Sequence, residues 1–289
     1  MKNWQEKIIQ ILLVGAASAS ILIVLLIFLF LGKEAFPFVS DPGIRVLLEH
    51  QWIPVSFKRE VFGIIPLITG SVLVTILATG LMIPFGVLGA VYIAEIAIEK
   101  ERAFLKPFIE IMAGIPSVVI GFFGLVVLSP VLKEVFQLNT GLTALLGAIL
   151  LALMAIPTVI SISEDAIRSV PKSFKEASLA LGASRLQTIF RVVVPAALPG
   201  IIAAVMLGIG RVIGETMVVL MVTGNAAQIT FNPVESVRTM TATIAAEMGE
   251  VAFGSNHYQA LFWVGIVLLV ITFGLNYVAQ KVLNRYRMG

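Results

Sequence analysis

Arg211 and Glu215 are the only ionisable side chains set deep inside an otherwise uncharged run of this sequence, and they stand four residues apart. On a helix that spacing puts both on one face, within ion-pair reach. A charge at the centre of a bilayer costs at least ~2.5–3.5 kcal/mol on insertion scales, so the pair needs a reason. Two uses fit. The side chains can neutralise one another and lock helix packing, with nothing moving past them. Alternatively, the guanidinium offers a fork of donors to a tetrahedral oxyanion. Glu215 then has a separate use, because an ionised carboxylate accepts hydrogen bonds and donates none: hydrogen phosphate has a proton to give it, and sulfate does not. Both uses can hold in different conformations. Arg211 lies ~24 Å along a helix from Pro195, at ~1.5 Å per residue, which predicts a position past the middle of the membrane, toward the outside. Gly208, Gly210 and Gly214 around the pair permit close helix approach, or a bend.

A second concentration of chemistry runs from Ser169 to Pro195, where Lys172, Ser173, Lys175, Glu176, Ser184, Arg185, Gln187 and Arg191 interrupt an oily sequence. Ser173 with Glu176, and Ser184 with Gln187, have capping-box spacing, and Gly182 stands where a first helix would end. The stretch therefore reads as two short helices. The second carries Leu186, Ile189, Phe190 and Val193 on one apolar face. Phe174, Ala177 and Leu181 on the first and Ile189 on the second make a compact knob, suited to a groove on another protein and to passing on a rigid-body shift.

The elements that must position these residues follow from hydropathy. The chain of 289 residues is 58% hydrophobic and 13% charged, with mean hydropathy +1.02, far too apolar for a water-soluble globule. It contains no cysteine, which removes disulfides, thiolate metal sites and cysteine nucleophiles. His50 and His257 stand apart without carboxylates at ligand spacing, so a metal site is not expected. The net charge is only +3 and the basic residues are scattered through short loops, which speaks for membrane orientation and against nucleic acid.

Six spans are expected. The uncharged run Ile8–Leu31 is long enough to cross and reads as an uncleaved first span, not a signal peptide. Residues 32–60, with Trp52 and three prolines, read as an interfacial element. The second span lies within Val61–Ala94 and carries Thr69, Ser71, Thr75 and Thr79, hydroxyls that bond back to helix carbonyls or line a polar path. The others are Ile111–Leu132, Thr140–Ser163, Ala196–Val222 and Ala260–Gln280. Ile115-Pro116 and Ile156-Pro157 are helix-breaking devices within spans. A short helix is expected near Val237–Met248, in a position to gate the outer end or touch a partner there. The organisation expected is thus residues 1–60 as first span and outer segment, and 61–289 as a core of five spans with a cytoplasmic loop at 164–195 and an outer loop at 224–258. Thirteen Lys and Arg, Lys2, Arg285 and Arg287 among them, fall on one side of this arrangement and six on the other. Both termini and the Ser169–Pro195 stretch are therefore expected in the cytoplasm.

Glu176-Ala177-Ser178, Gly182 and Val192-Val193-Val194-Pro195 resemble, in spacing, the Glu-Ala-Ala loop of bacterial ABC importer permeases. Ser178 stands for the usual second Ala, and Val192 and Val194 for Ile and Leu. Further stretches resemble the phosphate-uptake, PstC-like branch of that family: Gly114-Ile115-Pro116-Ser117-Val118, Pro157-Thr158, Gly210-Arg211, Gly214-Glu215-Thr216-Met217 and Arg238-Thr239-Met240. The likeness covers the chain from Phe62 onward.

This resemblance implies an all-α integral membrane protein with the MetI-like permease fold and a cytoplasmic coupling helix. It implies Ser117 and Thr216 along the substrate path with Arg211 and Glu215, and ATPase coupling through Glu176, Ala177, Ser178, Gly182 and Pro195. Its implied partners are an ABC ATPase dimer, a second, PstA-like permease and an extracytoplasmic phosphate-binding protein, within membrane lipid and with no nucleic acid. The chain is then no enzyme and binds no cofactor, ATP and Mg²⁺ belonging to the ATPase. In keeping with that, the sequence has no GxxxxGK[ST] loop; Gly32-Lys33 lacks the preceding Gly and the following Ser or Thr. The alternatives are a permease for molybdate or sulfate, the sister PstA-type subunit, an ion-coupled secondary transporter with Arg211 and Glu215 as a proton relay, and a scaffold or sensor.

Overall fold

A computed structural model describes residues 2–287. The side chains of Lys2, Arg285 and Arg287, used in the orientation count, lie outside the described set. Among the described residues six helices are long and apolar enough to cross a membrane: Glu6–Ser40, Ile65–Ile96, Ser117–Val135, Ala144–Arg168, Arg185–Gly214 and Asn256–Lys281.

The first traverse, α1 (Lys2–Ala35), is uniformly apolar around its circumference, and none of its apolar window is buried. Its outer end leans on the last helix, α13 (Asn256–Arg287), where Phe30 meets Phe262 edge-on and Trp263 Nε1 donates to the Ala35 carbonyl at 2.8 Å. Between α1 and the second traverse the chain forms α2 (Pro37–Ser40), a turn at Ile44–Leu48, and the hairpin of β1 (Trp52–Ile53) and β2 (Val61–Phe62), paired Trp52 to Phe62. Phe38, Leu47, Trp52 and Phe62 bury themselves with Met240 and Leu261. The expected interfacial element is thus a folded outer cap with an apolar centre.

The core is built by α3 (Ile65–Val91), α7 (Ala144–Arg168) and α10 (Val194–Gly214). α7 is the innermost, apolar on nearly every side. Small residues let its neighbours in: a Cβ on Gly86 of α3 would stand 2.7 Å from Val159 Cγ1, and one on Gly208 of α10 would stand 2.8 Å from Val159 Cγ2. Three helices therefore converge on Val159, the close approach that glycine permits inside a membrane. Of the three glycines near Arg211, Gly208 is the one used for packing; Gly210 and Gly214 face open space. Along α3, Thr69 and Ser71 bond back to the carbonyls of Pro66 and Leu67, while Thr79 Oγ1 is buried with no partner among the described residues.

Two of these crossing helices are bounded at one end by a short break followed or preceded by a further helix. The third comprises α4 (Glu99–Ala113), a break at 114–116, α5 (Ser117–Phe123), a wide π-type turn at Gly124–Leu128, and α6 (Ser129–Val135). Pro116 disfavours helical geometry at the residue before it, so the expected Ile111–Leu132 helix is interrupted and the crossing helix starts at Ser117. The fifth was expected unbroken over Ala196–Val222. Instead α10 ends at Gly214, Glu215 is extended (φ −69°, ψ 134°), and α11 (Met217–Val222) follows.

The cytoplasmic stretch is α8 (Lys172–Ala180), a turn through Gly182 at φ +85°, and α9 (Arg185–Thr188), which runs through a wide turn at Ile189–Val193 into α10. The outer loop after α11 contains α12 (Met240–Glu247), shorter than expected from the sequence.

Candidate functional site

The two broken traverses meet at Arg211. Gly121 of α5 packs so closely on α11 that an added Cβ would lie 2.9 Å from Met221 Sδ and 3.4 Å from Val218 Cα. Below this contact the guanidinium of Arg211 is half-buried: Nη1 donates to Thr158 Oγ1 of α7 at 3.0 Å, and Nη2 reaches the Ala113 carbonyl at the end of α4 at 3.5 Å. Thr158 lies roughly 15 Å along α7 from its cytoplasmic end and roughly 21 Å from its outer end at ~1.5 Å per residue, so the guanidinium meets α7 nearer its cytoplasmic end than its outer end.

Glu215 does not pair with it. The i, i+4 relation fails because the helix stops at Gly214, and the carboxylate turns to the next helix, where Oε1 accepts from the backbone N–H groups of Met217 at 3.1 Å and Val218 at 3.3 Å. A carboxylate suits those orphan amides at a helix start. Its carbonyl accepts from Thr241 Oγ1 at 2.9 Å, tying the break to α12. Thr216 spans the break, its hydroxyl donating to the Gly214 carbonyl at 3.3 Å. Ser117 opens α5, four residues beyond the Ala113 carbonyl that faces Arg211. Arg211 is left with neutral partners: no carboxylate pairs with it among the described residues.

In the cytoplasmic stretch, Ser184 and Gln187 form the expected capping box, Gln187 N–H donating to Ser184 Oγ at 3.3 Å and Ser184 N–H to Gln187 Oε1 at 2.8 Å. The Ser173–Glu176 box does not form, because α8 starts at Lys172 behind an extended Pro171, which puts Ser173 already inside the helix. Ser178 and Thr188 share a hydrogen bond of 2.9 Å that joins the two helices. The expected apolar face divides: Ile189 and Val193 are buried in the helical body, whereas Leu186 and Phe190 are exposed. Phe174, Ala177, Ser178, Leu181, Ala183 and Gln187 line a depression of about 520 Å³, with Leu181 89% exposed beside it. The knob is therefore made by Phe174, Ala177 and Leu181 without Ile189. Glu176 is exposed, Gly182 makes the left-handed turn, and Pro195 enters the first turn of α10.

Of four charged contacts around this loop, three are not evident from spacing. Lys175 Nζ pairs with the Glu95 carboxylate, and Arg185 donates to the Glu95 carbonyl, both at the inner end of the second traverse. Glu164, 1% exposed, is held between Lys106 at 3.1 Å and Arg168 at 3.2 Å. Arg168, at i+4, is the partner a helix wheel could have found; Lys106 comes from another helix.

Residues 82–287 match the family described as "Binding-protein-dependent transport system inner membrane component". The chain is 41% identical over 242 residues to a probable ABC transporter permease protein, YqgH, of Bacillus subtilis, covering 84% of this chain and 78% of that one. It is 34% identical over 292 residues to the phosphate transport system permease protein PstC of Mesorhizobium japonicum, covering 93% and 88%. Its fold resembles a chain of the MetNI methionine ABC transporter, with a TM-score of 0.58 at 17% identity over 85% of this chain and 98% of that one.

Proposed function

We propose that this chain, which belongs to the family of inner-membrane components of binding-protein-dependent transport systems, is the permease subunit of an ATP-driven phosphate importer. The observation that carries the reading is the guanidinium of Arg211, held among the spanning helices where two helix breaks meet and bonded to a hydroxyl and a carbonyl. A cation without a counter-ion in a low-dielectric setting is costly unless something anionic visits it, and a planar fork of donors fits a tetrahedral oxyanion. Several relatives carry the name of a phosphate permease, which favours phosphate over sulfate or molybdate.

Membership of this family implies an ATPase and a second permease as partners. On this reading the second permease is PstA-like and supplies the facing wall of the path. An ABC ATPase dimer, binding ATP and Mg²⁺, docks on the depression between α8 and α9, and an extracytoplasmic phosphate-binding protein delivers the substrate. Arg211 receives the anion; Ser117 and Thr216, at the two breaks, supply hydroxyls along its route. Glu215 shapes the mouth between the breaks by capping α11, and its carboxylate accepts from a protonated oxyanion. Movement of the docking loop passes through α9 and the wide turn directly into α10, the helix bearing Arg211.

The test is reconstitution of this chain with the partner permease, the ATPase and the binding protein in proteoliposomes. ATP-dependent phosphate uptake, resistant to excess sulfate and molybdate, is the expected result. Uptake sustained by a proton gradient with ATP depleted would contradict the reading, and preferential uptake of sulfate or molybdate would assign the chain to another oxyanion.

A further inference from the structure

The helix α4 has no fully buried side chain along its length. Leu105 and Ile109 rest partly buried on the inner apolar cluster, and the rest of its fixing is polar and comes at three separate levels. At the inner end, Arg102 donates from Nε and Nη2 to the Ile93 carbonyl at 3.0 and 2.7 Å, and from Nη2 to the Ala94 carbonyl at 3.0 Å. Those carbonyls belong to the wide turn Tyr92–Ile96, which contains Glu95, the residue gripped by Lys175 of α8 and Arg185 of α9. Midway, Lys106 is latched to the buried Glu164 of α7 at 3.1 Å and lies 3.8 Å from Asp165. At the far end, the Ala113 carbonyl faces Arg211.

These contacts form an unbroken mechanical series, and we infer that α4 is a lever by which the cytoplasmic loop sets the position of the Ala113 carbonyl against Arg211. This rests on the reading of the chain as a permease with Arg211 on the path, and it adds a second route to the direct one through α9 and α10. Glu95 is the input, where a displacement of α8 and α9 enters. The Lys106–Glu164 latch is the fulcrum. Pro107, next to it, removes the amide that would bond to the Ala103 carbonyl, and the latch pins the helix to α7 at that weak point. The Ala113 carbonyl is the output: a carbonyl oxygen competes with an oxyanion for the same N–H group, so withdrawing it frees Nη2 for substrate and restoring it helps to expel substrate. Latches of this kind have two discrete arrangements, made or broken, which suits them to a switch. Glu95, Lys106 and Glu164 are thus positioning residues that act through Ala113 on Arg211.

The test uses the complete reconstituted complex and reads phosphate uptake and binding-protein-stimulated ATP hydrolysis in the same vesicles. For Glu95→Gln and Lys106→Gln, the phosphate moved per ATP hydrolysed should fall at least ~10-fold while hydrolysis stays within about 2-fold of the unaltered chain, a loss within the usual range of coupling between sites. Uptake and hydrolysis falling in parallel, or neither falling, would overturn the inference. A second measurement does not depend on those variants. Because the chain has no cysteine, spin labels at Ile111→Cys, near the output end of α4, and Leu153→Cys on α7, both exposed positions, report the helix separation. The distance distribution should differ between the nucleotide-free and the ATP-trapped complex, and an identical distribution would overturn the lever. If the unaltered complex imports no phosphate at all, the parent reading fails instead; if it imports phosphate normally with α4 still, only the lever does.

Discussion

Glu247 shows how much a single side chain organises at the outer face. Both its oxygens accept from Trp52 Nε1 at 3.1 Å, Oε1 from Arg238 Nη1 at 2.6 Å, and Oε2 meets His257 Nε2 at 2.8 Å. Arg238 also donates from Nε to the Asn225 carbonyl at 3.0 Å. One carboxylate thereby joins the β1–β2 hairpin, the loop after α11, α12 and the start of α13. Its side chain is 16% exposed and that of Arg238 is 22%, so the group is largely withdrawn from water and losing one partner leaves the others poorly compensated. Glu247→Ala should cost about 2–4 kcal/mol. The check is thermal unfolding in detergent, where a clear drop in Tm is expected and an unchanged Tm would remove Glu247 from this role. Nothing in the local sequence marks Glu247, because its Trp52 partner is 195 residues distant and the Arg238 and His257 partners come from segments with no periodicity in common with it.

At the scale of elements, most readings with local determinants held, the Ser173–Glu176 box failing because α8 already begins at Lys172. The Ser184 capping box, the Gly182 turn and the two-helix reading of residues 169–195 depend on neighbours within a few positions, and each is present. The five apolar runs after the first were likewise legible as crossings, since hydropathy over about 20 residues suffices. What composition could not show is where a crossing breaks. The residues of the 215–216 break are ordinary in a helix, and the turn is stabilised by Glu215 capping α11 and by Thr241 from a later segment. The i, i+4 pairing of Arg211 with Glu215 failed for the same reason, since it assumed a helix that does not continue. The apolar tip of the cytoplasmic stretch, by contrast, is exposed, although Lys175 and Arg185 fasten its two helices to Glu95. Leu181→Asp, at a position 89% exposed, should leave the stability of the permease within ±0.5 kcal/mol while abolishing co-purification with the ATPase. Retention of the ATPase by this variant would show that it docks elsewhere.

For the molecule as a whole, a close-packed centre is surrounded by elements fastened to it mainly by polar contacts. α3, α7 and α10 converge on Val159 with glycines at the crossing points, a packing that admits little relative displacement. Around this centre lie α4, fastened by polar latches, and two traverses interrupted at the level of one arginine. Arg211 is where these features coincide: among the described residues no carboxylate pairs with it, which on the proposed reading leaves it to serve a transported anion. ATP-dependent phosphate uptake by the reconstituted complex carrying Arg211→Ala, with assembly checked by co-purification of the partner permease and ATPase, tests this most directly. The account predicts an intact complex with uptake abolished; an intact complex with normal uptake would contradict it.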